Sequence, residues 1–205
     1  MTSHGLTPGA ARNFGLPRED DKPREDKMPE EKNALTNRLE PIDRSGLEKL
    51  IQNAKSNPKA VRTLKCRTVA EKRFRHLNYI RDLPPYIVDE PPGLLGDDTA
   101  PNPSEASLAA LGSCIAVGLH ANAVHRGWTV KKLELYLEGD LNITAVWGTG
   151  DVSEKPVGFT DVRVKVDMEC DAPKAEVDAL IDHVVKWSPV ANTFVRPVKL
   201  EVKPA

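Results

Sequence analysis

The stretch NPSEASLAALGSCIAVGLHANAVHRG, from Asn102 to Gly127, limits the fold more than any other part of the chain. Asn102 is placed to cap a helix, Pro103 fills the first helical position, where a missing N–H costs nothing, and Glu105 closes a capping box back onto Asn102. Leu108, Leu111, Ile115 and Leu119 then alternate with Ala109, Ala110, Gly112, Ser113, Ala116, Gly118 and Ala121. Small residues let a neighbouring helix or sheet approach closely, and an element apolar nearly all round belongs at the centre of a fold, buried on most sides. The run Leu108 to Val124 is about long enough to be weighed as a membrane span, but Ser113, Cys114, His120 and Asn122 interrupt it, and a buried core helix is the better reading.

A chain of 205 residues, 40% hydrophobic, has material for one good-sized domain and a tail. Composition changes near residue 45. Residues 1–44 carry Pro8, Pro17, Pro23, Pro29 and Pro41 among mixed charges with no apolar periodicity. They cannot build a core alone and form a disordered or partner-binding arm; residues 45–205 form the domain. Ser45 and Glu48 read as a capping box for a helix with Leu47, Leu50, Ile51 and Ala54 on one face, stopped at Asn57 and Pro58. VRTLKCRTV and RFRHLNYIR alternate and read as two strands joined around Ala70 to Lys72, which makes Cys66 a half-buried strand residue. PYIVDE gives a short third strand before a loop rich in turn formers.

Beyond the central helix, TVKKLELYLEG and FTDVRVKVDME are alternating strands. PKAEVDALIDHVVKW places Val177, Leu180, Ile181, Val184 and Trp187 at helical spacing, and VKLEV reads as a closing strand. This order is α+β and not a regular βαβ winding.

The formal charge of -1 gives no support to a nucleic-acid or membrane partner. The opening MTSHGLTPGAARNFG lacks a basic-plus-apolar signal pattern, so a cytoplasmic protein is expected. Cys66, Cys114 and Cys170 are widely spaced with no CxxC, which indicates neither a disulfide scaffold nor structural zinc. His120, His125 and His183 lack metal-ligand spacing, so no metal or cofactor is expected. Trp128, Trp147 and Trp187 read as core or interface aromatics. Cys114 lies about three turns inside its helix, too deep for the helix end to stabilise a thiolate, and spacing alone makes it a small hydrophobe.

The block DEPPGLLGDDTAPNPSEASLAALGSCIAVGLHANAVHRG, with HVVKWSPVANT downstream, resembles the osmotically inducible protein C and organic hydroperoxide resistance (OsmC/Ohr) family over about residues 60–205. The resemblance implies an intertwined homodimer with a buried central helix packed on antiparallel-rich sheets and two sites at the interface. It also implies a thiol peroxidase, in which a reactive cysteine is oxidised to a sulfenic acid by an organic hydroperoxide and then captured by a second cysteine. Cys114 matches the first cysteine, but WSPV puts Ser188 where the second belongs, so the reductant becomes an external thiol, or Cys66 or Cys170. Arg73, with Arg75 and Arg81 as competitors, matches the arginine that supports the thiolate. Glu105 stands in the matched NPSE stretch, with Ser104 as the other candidate for the family's glutamate; nine residues put Glu105 and Cys114 on opposite helix faces. The competing reading is a non-catalytic dimer that binds a ligand, or docks on a partner through residues 1–44.

Overall fold

The computed structural model describes residues 39, 40, 42–143 and 146–204; the expected N-terminal arm lies outside them except at its last residues. The first helix, α1, spans Arg44–Ser56 and ends at Asn57, as the sequence indicates, but its cap differs. Asp43, not Ser45, is the N-cap: its carboxylate accepts the Ser45 N–H at 3.0 Å, and Glu48 pairs with Arg44. A carboxylate two residues earlier takes the orphan amide that the expected box would have used.

Three short strands follow in an antiparallel sheet of order β1-β2-β3: β1 Arg67–Lys72, β2 Arg75–Tyr79 and β3 Tyr86–Val88. Two expectations fail here. β1 begins at Arg67 and runs on to Lys72, so the turn falls at Arg73 and Phe74. The pairing Arg67↔Tyr79 leaves Val61 to Cys66 with no partner strand among the described residues, and Cys66 is exposed rather than half-buried. Arg73 takes φ +44°, a left-handed conformation that tightens the turn.

A loop with a 3-10 turn at Pro92–Leu94 leads to α2, Pro103–His125. Its start is as the sequence dictates: the Asn102 side chain accepts the Glu105 N–H at 2.9 Å and the Glu105 carboxylate accepts the Asn102 N–H at 2.8 Å. Leu111, Gly112, Ile115, Leu119 and Ala123 are buried. The helix is not buried on most sides within one chain, however. Ala109, Ala110, Ser113 and Val117 lie exposed along a face that no other element among the described residues covers.

β4 (Val130–Asn142) and β5 (Gly158–Cys170) form a long antiparallel ribbon. Alternation decides its faces: Leu133, Leu135, Leu137, Val166 and Met168 pack toward the α2 core, while Lys132, Glu134, Glu138 and Asp140 lie on the other side. Gly139 belongs to the packed face, where a Cβ would meet Phe159 at 2.5 Å and Leu108 at 3.3 Å, so its lack of a side chain lets the phenyl ring in. On the outer face Arg163 grips Asp140 with both terminal nitrogens, at 2.7 and 2.9 Å.

Helix α3, Lys174–Trp187, closes the core through Leu180 and Val184. Leu119 and Leu180 are both fully buried, and burying each contributes about 2 kcal/mol. Trp187 departs from the expected core face and is 68% exposed; Trp147 is exposed as well, and Trp128 alone of the three tryptophans packs against the core. A further short helix, α4 (Pro189–Val195), was not expected, and the expected closing strand VKLEV does not form. Val198, Leu200 and Val202 remain exposed, in a segment that pairs with no strand among the described residues. The fold class is α+β, as the order of elements indicated.

Candidate functional site

Cys114 sits midway along α2, half-buried, one residue before the buried Ile115 and three after the buried Leu111. Facing it is Ser188, the residue where α3 ends and α4 begins. The Ser188 hydroxyl donates to Cys114 Sγ at 3.1 Å. Ser188 is 4% exposed, and its oxygen accepts the Ala191 N–H at 3.1 Å, so it caps α4. That second bond matters to the first. With one lone pair engaged by an amide, the hydroxyl proton is free to point at sulfur.

The cap follows from the sequence SPVA: serine in an extended conformation at φ -68°, ψ 120°, then proline at the first helical position. This signal is legible in the sequence, although no helix was expected after Trp187. Asn192 strengthens the junction by donating to the Ser188 carbonyl at 2.8 Å and the Lys186 carbonyl at 3.0 Å.

Beside this pair lies an apolar groove of about 340 Å³, lined among others by Leu111, Ile115, Phe159, Val162, Ile181 and Phe194. Cys114 does not line it. Ala191 does, and the same Ala191 holds the Ser188 oxygen through its N–H, so the groove and the thiol share one backbone junction.

The other candidates lie elsewhere in the chain. The carboxylate of Glu105 is committed to the capping box, and nine helical residues put it about 13 Å along the axis from Cys114. It neighbours Glu90 instead: burial, then the Glu105 and Asp89 charges, push the Glu90 carboxyl up, against a weaker pull from His76. Ser104, the other glutamate position, stands in the same first turn of α2. Arg73 is on the β1–β2 turn, bound to Asp97 at 2.6 Å, with Lys72 on the same carboxylate at 3.2 Å. Arg75 is the most enclosed of the three arginines, holding Glu71 through Nε and Thr99 through Nη1, both at 2.6 Å. Arg81 occupies the β2–β3 turn with φ +54°. The sheet that carries all three makes no extensive contact with α2 in the single chain.

Among the described residues, no group of three or more His, Cys, Asp or Glu side chains is placed to hold a metal ion. His120 is half-buried on α2, and burial pushes its imidazole down. Cys170, at the end of β5, packs against the core, and Cys66 is exposed before β1; both are free thiols.

An apolar helix crossing a small α+β core, with a free cysteine at its middle met by the start of the last helix, defines the class of fold. The chain belongs to the OsmC-like protein family, whose sequence model matches residues 96–203. Its fold is similar to that of an OsmC-like protein from Mycoplasma pneumoniae, with a TM-score of 0.57 at 16% identity, over 66% of this chain and 89% of that one. It is also similar to an OsmC-like protein of unknown function from Vibrio cholerae, with a TM-score of 0.53 at 14% identity, over 65% and 94%. A hypothetical protein from Aquifex aeolicus gives 0.53 at 13% identity, over 66% and 89%. No curated protein matches the chain.

Proposed function

We propose that this protein is a thiol peroxidase for organic hydroperoxides that works through Cys114 with no resolving cysteine beside it. The observation that carries the reading is the buried Ser188 hydroxyl donating to Cys114 Sγ at 3.1 Å, beside an apolar groove of ligand size. A donor fixed on sulfur stabilises negative charge there, and the thiolate is the nucleophile.

The thiolate attacks one oxygen of the hydroperoxide. The O–O bond breaks, the leaving alkoxide takes a proton to become an alcohol, and sulfur is left as a sulfenic acid. A hydroxyl cannot form a disulfide, so Ser188 cannot complete the cycle. An external small thiol does so: it condenses with the sulfenic acid to a mixed disulfide with release of water. A second thiol molecule then frees Cys114 and leaves as the oxidised disulfide. Leu111, Ile115 and Phe194 in the groove suit an apolar substituent on the substrate.

The working form is a homodimer. The exposed Ala109, Ala110, Ser113 and Val117 face of α2 is the surface a second copy would cover, and Arg73 and Glu105 take part only if that copy brings them to Cys114. The test is intact-mass spectrometry after one equivalent of cumene hydroperoxide, followed by turnover with a small thiol. Addition of a single oxygen at Cys114 and loss of turnover in Cys114→Ser are expected; an unmodified, folded wild type ends this reading.

A second reading, a non-catalytic dimer that binds an apolar ligand, draws on the groove alone. It predicts that Cys114→Ser leaves ligand binding unchanged and that no hydroperoxide is consumed.

A further inference from the structure

Helices α3 and α4 meet at Ser188 with no other residue between them: α3 ends at Trp187 and α4 begins at Pro189. Rotation about the Cα–C bond of Ser188, held at ψ 120°, swings one helix against the other. Pro189 has no N–H with which to resist that rotation. Seven residues are also too few for a helix that orders itself, so the placement of α4 depends on what it touches.

Asn192 supplies a restraint across the junction. Its side-chain amide donates to the Ser188 carbonyl at 2.8 Å, four residues back, and to the Lys186 carbonyl at 3.0 Å, six residues back in the last turn of α3. The first is an ordinary bond of the kind Asn122 makes to the Gly118 carbonyl within α2. The second is different. Among the described residues it is the one hydrogen bond that runs from α4 into α3, and it takes a carbonyl that the end of α3 leaves without an intrahelical partner.

Apolar contacts hold α4 to the core as well: Ala191 is buried, Val190 and Phe194 pack against the core, and the Phe194 ring lies 5.9 Å from that of Phe159. Such contacts are non-directional and keep the helix docked without fixing its angle. A hydrogen bond to sulfur is directional. The Ser188 hydroxyl reaches Cys114 Sγ with its oxygen held by the Ala191 N–H, so turning α4 carries that amide off the oxygen and lets the proton swing away from sulfur.

We propose that Asn192 is a positioning residue for Cys114. By bridging α3 to α4 it fixes the rotation at Ser188, and through the Ala191 N–H it keeps the Ser188 hydroxyl aimed at the sulfur. Its own side chain makes no bond to Cys114 and does not line the groove. In catalysis this role rests on the peroxidase reading, but its effect on the thiolate is measured without any peroxide.

The test follows alkylation by iodoacetamide against pH in the full chain, read at Cys114 by peptide mass spectrometry. Asn192→Ala, and Asn192→Leu, which keeps most of the volume, are each expected to move the pH midpoint of alkylation up by about one pH unit. Oxidation by cumene hydroperoxide at neutral pH slows by up to about tenfold with it. In a Ser188→Ala background the same substitutions move neither quantity, since the hydroxyl they position is gone, yet they still lower the urea midpoint. An equal shift with and without the hydroxyl overturns the proposal. So does an unmoved pH profile beside a lowered urea midpoint, which is all that satisfying a helix end would give. Failure of the peroxidase reading looks different: hydroperoxide leaves the folded wild type unmodified while its alkylation profile still responds to Asn192, which upholds the positioning role.

Discussion

Ser188 Oγ lies 3.1 Å from Cys114 Sγ as hydrogen-bond donor, while the Ala191 N–H holds the same oxygen from the other side at 3.1 Å. One hydroxyl thus caps a helix and supports a sulfur 74 residues away. Ser188→Ala removes both bonds. Loss of the cap costs about 1 kcal/mol of stability, and loss of a donor to a charged acceptor costs about 1.5 to 3 kcal/mol, which is about tenfold or more in the rate at which Cys114 is oxidised. Stopped-flow oxidation by cumene hydroperoxide, run beside urea unfolding, separates the two. An unchanged oxidation rate would show that the hydroxyl serves the helix alone.

Ser188→Cys asks the converse question. A thiol placed at the oxygen's position is already at contact distance from Cys114 Sγ, and a disulfide then needs only a small rotation to reach a bond of about 2.05 Å. One equivalent of hydroperoxide should give the wild type a single added oxygen. In the variant the expected product is an internal disulfide, two hydrogens lighter than the reduced protein. Turnover in the variant then responds to dithiols that the wild type uses poorly. A variant that instead accumulates sulfenic acid, trapped by dimedone, would place the two side chains too far apart in solution.

The sequence made the start and span of α2 legible because cap, proline, capping-box glutamate and apolar body all agree there, but not its exposed face. β4, β5 and α3 were legible for the same reason: each carries its own period. What escaped depends on partners the period does not report. Cys66 looked half-buried because Leu64, Cys66 and Thr68 alternate, yet β2 stops at Tyr79 and gives Cys66 nothing to pair with. VKLEV alternates as well and pairs with no strand among the described residues. The site was half legible. Ser188 could be placed opposite Cys114 only through the family resemblance, and no local signal says that a helix cap will face a residue in the middle of another helix. Arg73 and Glu105 were named from the resemblance alone, and within one chain their side chains are tied to Asp97 and Asn102.

Gly118 sets the distance between α2 and α3. A Cβ there would meet Val184 Cγ1 at 2.6 Å, closer than real Cβ atoms come, and Val184 is 3% exposed with a stiff β-branched side chain. Alanine gains about 1 kcal/mol in helix propensity over glycine, while overpacking a core costs about 1 to 3 kcal/mol. For Gly118→Ala the balance should be a net loss of about 1 kcal/mol, since Val184 has no open side to move into. Equilibrium urea unfolding measures it; a stabilised variant would mean that α3 shifts freely against α2.

Asp89 gives the fold an acid limit. It is fully buried at the end of the β3 segment and accepts from Thr99 Oγ1 at 2.7 Å, Thr99 N at 3.1 Å and Glu90 N at 2.9 Å, which ties the two ends of the 89–99 loop together. The Thr99 hydroxyl first, and the backbone amides with it, hold the carboxyl down at about 2, against a burial effect that raises it. The folded value is below the ordinary 3.8, so the carboxylate's contribution to stability is whole above that pH, declines as pH falls toward 2, and is gone below it. Asp89→Asn mimics the neutral form. At neutral pH the variant should therefore melt lower than the wild type, and the gap should close between about pH 4 and pH 2. Thermal midpoints of both proteins across that range test this directly, and a gap that stays constant to pH 2 would assign the cost of the substitution to shape rather than to charge.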